Sequence, residues 1–88
     1  MSNFKSVRSV TPYHIYHIGG TFIIPAPAGL RGKVTDLERM TVVAPNREAA
    51  SHSLATFLNN DPKWVKMTHG EGFSSGFAIS HLKITETR

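Results

Sequence analysis

Histidines, carboxylates and a pair of adjacent serines are the side chains through which this chain could do acid–base, metal or nucleophilic chemistry. His14 and His17 have the spacing of a helical metal pair. The tyrosines and isoleucines around them favour a pleated strand, on which positions three apart point to opposite faces. That pair therefore does not chelate. His69 and His81 are expected on neighbouring strands of a hairpin, where they approach one another. A zinc site needs further ligands, and a chain with no cysteine has no thiolate to add. No metal centre is expected.

Asp36 and Glu38 are the sole close pair of carboxylates. On a strand they share a face, as general acid–base work or a magnesium ion would require. Lys33 and Arg39 flank them, which reads as a solvated, charge-balanced edge. Ser74 and Ser75 lie in a glycine-rich stretch but lack the G-x-S-x-G pattern and a partner to activate them. Gly70, Gly72 and Gly76 do not fit G-x-G-x-x-G and lead into an expected strand. A phosphate-binding loop leads into a helix, whose N-terminus holds the phosphate. No catalytic residue and no cofactor is expected, and the chain is not read as an enzyme.

Contact chemistry remains. If residues 63–69 form a strand, Trp64 and Lys66 share one face, with Lys63 beside them. A ring that stacks and ammonium groups that meet phosphates suit nucleic acid. Lys83 on the neighbouring strand enlarges the patch. Phe73, at the tip of the loop 70–76, offers an apolar contact. Charge is uneven: residues 1–35 contain Lys5, Arg8, Arg31 and Lys33 and no acid, and the whole +4 excess lies there. Arg31 and Lys33 therefore join the candidate partner-binding residues. Such a segment attracts phosphate or acidic protein surface.

These residues need elements to position them. Residues 1–9 read as a flexible basic arm, and 10–88 as one domain. Residues 10–18 and 21–24 read as strands joined by a tight turn at Gly19-Gly20, since glycine accepts the positive φ of such turns. Pro25 and Pro27 end the second strand. Residues 33–44 form the longest strand. Val34, Met40, Val42 and Ala44 share a parity with Asp36 and Glu38, so a bulge near Asp36–Glu38 must shift the phase, or the strand starts at Leu37. A helix over 47–59 follows, capped by Asn46, with Ala50, Leu54, Phe57 and Leu58 as its buried stripe. Asn59-Asn60-Asp61-Pro62 ends it. Strands over 63–69 and 77–85 complete the order β-β-β-α-β-β. This is an α+β two-layer sandwich, one helix on a mostly antiparallel sheet of four to five strands. One short helix covers one sheet face only in part. The other face, holding Trp64, Phe77, Ile79 and tyrosines, is left apolar.

The chain has 88 residues, 40% apolar and 18% charged. That allows one core without disulfides, and the lack of cysteine points to the cytoplasm. No apolar run approaches the roughly 18–20 residues needed to span a bilayer. No signal-peptide core is present, and Pro12 opposes a transit helix. The scale resembles compact phage or mobile-element chains that dock on a host protein. The expected function is a non-enzymatic protein-binding module that occludes a host nucleic-acid-handling complex. The alternative is direct nucleic-acid binding. A homodimer through the uncovered sheet face is the third expected contact.

Overall fold

A computed structural model describes residues 12–87. The basic arm at 1–9 lies outside the described residues. Strand β1 (His14–Ile23) is central, with β2 (Val34–Ala44) and β3 (Lys83–Thr87) antiparallel on either side in the order β2-β1-β3. Three helices follow one another between β2 and β3: α1 (Arg47–Asn59), α2 (Pro62–Met67) and α3 (Phe77–His81). The fold is α+β. Among the described residues the sheet has three strands instead of the four to five expected, and three helices replace the single one.

The largest correction is at Gly19-Gly20, where the chain does not turn. It continues as one strand, and the register slips between Ile18, opposite Met40, and Gly20, opposite Leu37. Glu38 and Arg39 thus share the space facing Gly19. This is the expected bulge, placed one residue later. A Cβ on Gly19 would lie 2.9 Å from the Arg39 Cα and 3.0 Å from the Leu37 carbonyl oxygen. Glycine is required here to pass a bulge rather than to reverse the chain. The reversal comes later, over residues 24–33, closed by the Ile24 N–H donating to the Lys33 carbonyl at 2.9 Å.

The bulge also explains the broken alternation of β2. Leu37 before it and Met40, Val42 and Ala44 after it all face the core side. Tyr16, Ile18 and Phe22 of β1 and Ile84 of β3 point the same way. On that side α1 packs against β2, and α3 against β1 and β3.

Helix α1 has the expected bounds, and Asn46 Oδ1 accepts from the Ala49 N–H at 2.8 Å. Its buried stripe is Ala50, Ser51, Leu54, Ala55 and Leu58, while Phe57 is 51% exposed. Ala50, Leu54 and Leu58 are buried as expected; Ser51 and Ala55 take the place expected for Phe57. Ser51 tolerates burial because its hydroxyl donates to the Ser75 carbonyl at 2.6 Å.

Residues 63–69 are not a strand. Asp61 Oδ1 accepts from the Lys63 N–H at 3.0 Å, and Pro62 occupies the first turn, so a new helix starts where the previous one stops. The expected strand 77–85 is also divided. Phe77 and His81 stack on each other with ring centroids 4.9 Å apart. Residues four apart meet on a helix and not on a strand. Strand structure begins only at Lys83. Among the described residues no helix is long and apolar enough to cross a membrane.

Candidate functional site

The residues expected to form one basic and aromatic strand face do not do so. Lys63, Trp64 and Lys66 lie on α2. Trp64 is half-buried against the core and stacks on Phe22 with centroids 6.3 Å apart. The Lys63 ammonium lies over the indole at 5.9 Å from its centroid. Phe73 is 5% exposed and is no loop-tip contact. Asn59 clamps its backbone, with Nδ2 donating to the Phe73 carbonyl at 2.9 Å and Oδ1 accepting from the Phe73 N–H at 2.8 Å. The Phe73 ring meets Trp64 and Phe77 edge-on. Trp64, Phe73 and Phe77 therefore belong to the core. Arg31 and Lys33 are exposed on the connection between β1 and β2, and Lys83 opens β3.

The other histidine and carboxylate expectations resolve in the same way. His14 faces the helix side and its Nδ1 lies 2.8 Å from Glu86 Oε2. His17 faces the opposite side, with Nδ1 3.2 Å from the Thr41 hydroxyl. His69 sits in the turn after α2, at φ 58°, and His81 ends α3, so they do not share a hairpin. Among the described residues no group of three or more potential ligands gathers around a metal-sized space. Asp36 accepts a hydrogen bond from the Thr21 hydroxyl across the sheet.

The uncovered surface of the sheet is built from the other parity of each strand. Register pairs Ile15 with Val43, His17 with Thr41, Thr21 with Asp36 and Ile23 with Val34. On the β3 side it pairs His17 with Thr85 and Gly19 with Lys83. Ile15, Val43, Ile23 and Val34 are all exposed, and Tyr13 precedes them. No described element packs on them. The two apolar pairs lie eight positions apart on β1, about 26 Å at strand rise.

Between these pairs lies a shallow cavity of about 330 Å³, lined by His17, Gly19, Gly20, Arg39, Lys83 and Thr85. Gly19, without a side chain, leaves a depression in the central strand. The bulge turns Arg39 to this side, and the register brings Lys83 to the opposite flank. No carboxylate lines the space. Sequence reasoning missed His17 and Arg39 here, because only the bulge and the three-strand register bring them together.

Two further clefts lie between the 24–33 connection and α3, about 530 and 420 Å³ in volume, and share Pro25, Ala26 and His81. Ser74, Ser80 and Glu71 line one or other of them. His81 Nδ1 lies 3.2 Å from the Phe77 carbonyl, and its ring stacks on Phe77. No hydrogen bond joins either serine to His81 among the described residues. No protein-family model matches the chain, and neither does a curated protein or a solved structure.

Proposed function

We propose that this protein is a non-enzymatic binding module that docks a protein partner on the open face of its sheet. One observation carries this reading. The cross-strand pairs Ile15–Val43 and Ile23–Val34 stand exposed on a face that no described element covers. Apolar patches framed by polar residues mark interaction surfaces. Arg39, Lys83 and His17 between the pairs favour a partner surface that is apolar at its ends and anionic at its centre.

The test is photo-crosslinking in the native host from a reactive residue at Val43 on the open face, with His52 on the exposed side of α1 as control. The expected result is a discrete protein adduct from Val43, lost in Ile15→Glu and Ile23→Glu chains and absent from His52. Adducts only within one chain or between two copies would show that the face covers itself. Nuclease-sensitive adducts would favour direct nucleic-acid binding. Either result overturns the proposal.

A further inference from the structure

We infer that the cavity floored by Gly19 and Gly20 is a binding site for a phosphate monoester, presented by the docked protein as a phosphoserine or phosphothreonine. The choice of a protein source rests on the docking proposal above; the cavity's preference for phosphate does not.

The argument starts from charge. Arg39 and Lys83 lie on strands flanking the central one, with backbones about 10 Å apart. Both are placed at the row of Gly19, which has no side chain to separate them. Two cations sharing a cavity repel each other, and an anion between them relieves that repulsion. No acid lines the cavity. Asp36, which keeps its charge under the Thr21 hydroxyl, stands one row beyond Gly19 and outside the lining, so it offsets the two cations only from a distance. Glu86 lies on the helix side with His14. Asp61 caps α2. Glu48 stands in the first turn of α1 and Glu71 in the loop before Phe73. Glu38 shares the bulge with Arg39 but does not line the cavity. Among the described residues no lysine or arginine pairs with an acid, and the one histidine–carboxylate contact is His14 with Glu86.

Donor chemistry narrows the ligand. The guanidinium offers a planar fork, the ammonium a point charge, and the Thr85 hydroxyl and the His17 ring add donors from the row below. These groups come from all three strands and surround the space. That arrangement suits the several oxygens of a tetrahedral anion better than the flat edge of one carboxylate. A monoester carries a charge of about −1.5 to −2 at neutral pH, which balances Arg39 and Lys83 together, whereas a diester or a carboxylate balances one of them. The cavity is also shallow, so it receives a group at the tip of a side chain rather than enclosing a whole molecule. The nearest apolar pair, Ile15–Val43, begins one row beyond His17. A residue close to the phosphorylated one would rest there.

The test is an NMR titration of the labelled full chain with four probes. They are inorganic phosphate, a phosphoserine peptide with apolar flanks, its unphosphorylated twin, and a single-stranded RNA lacking terminal phosphates. Inorganic phosphate is expected to shift the amides of His17, Gly19, Gly20 and Thr85 saturably. The phosphopeptide should bind about tenfold or more tightly than its twin, and should also shift Ile15 and Val43. Arg39→Gln and Lys83→Gln should each weaken phosphate binding about tenfold, with dispersed spectra showing that the fold is kept. Shifts spread equally over Lys63, Lys66 and Arg31, or unchanged in the double variant, would overturn the site. Tighter binding of the RNA than of the phosphopeptide at the same residues would overturn the monoester. If phosphate binds at the cavity but the phosphopeptide binds no better, the phosphate site stands and the docked-protein source falls.

Discussion

Gly19 shows how much one missing Cβ decides. An alanine there would press on the Arg39 Cα and the Leu37 carbonyl, both of them backbone atoms that cannot swing away. Gly19→Ala is expected to cost about 1–3 kcal/mol, read from urea melts, and to disturb the amides of Glu38 and Arg39. A second residue with a measurable signature is Tyr16. Burial, and next the nearby Glu86, push its phenol above the ordinary value, while Arg47 pulls it the other way. The folded chain therefore holds this proton longer than the unfolded chain. The stability this provides is full below the ordinary phenol value of about pH 10 and is lost as the pH climbs from there through the folded-state value. Melts at rising alkaline pH should show the loss, and Tyr16→Phe should remove that part of it. At this scale the sequence was half legible. The glycine pair signals unusual backbone, but the same permissiveness serves a turn or a bulge, and only the partner strand decides between them. Lys83 is a candidate from the sequence as a neighbour of Trp64 and Lys66, but the structure sets it on β3 beside Gly19 instead. Its companions Arg39 and His17 are not candidates from the sequence, because their nearness depends on register.

Among the elements, α1 was readable because both of its ends carry local chemistry. Asn46 supplies the opening cap, and the Asn59–Pro62 run closes it. Broken parity in β2 allows a bulge or a later start to the strand, and the register with β1 decides for the bulge. Helix α2 was missed because Asp61 and Pro62 were read only as an end, although the same two residues start the next helix. Trp64 and Val65 also suit a strand, and six residues are too few for a helical period to show. Helix α3 is shorter still: the local stacking of His81 on Phe77 is joined by edge-on contacts of Phe77 with Phe22 and Phe73, which the sequence does not show. The stripe of α1 gives a direct check. Leu54→Ala is expected to cost about 2–5 kcal/mol. Phe57→Ala, on the exposed side, should stay within about 0.5 kcal/mol. Denaturant melts of the two variants separate this packing from the stripe expected from sequence. Asn59→Ala removes both bonds to Phe73 and should raise hydrogen exchange at the Phe73 amide well before the sheet amides change.

At the scale of the whole molecule, the three described helices occupy one side of a narrow sheet, and no described element packs on the other. The sequence foretold an apolar uncovered face but assigned it to Trp64 and Phe77, which instead complete the core. Ile15, Ile23, Val34 and Val43 form it, and their roles follow from pairings that only the assembled sheet reveals. Charge placed on that face should cost only the cross-strand contact, about 0.2–1 kcal/mol per pair in denaturant melts, while abolishing the proposed association. The pairing of β1 with β3 also has a practical consequence. Thr87 lies opposite Ile15, so the sheet returns to where it started. The opposite end of the sheet, at the exposed turn Ala28-Gly29, is free of that corner. A short tag inserted there is expected to leave the three-stranded sheet unchanged and to lie far from Ile15 and Val43. Such an insertion would carry a label or an affinity handle without crowding that corner of the open surface.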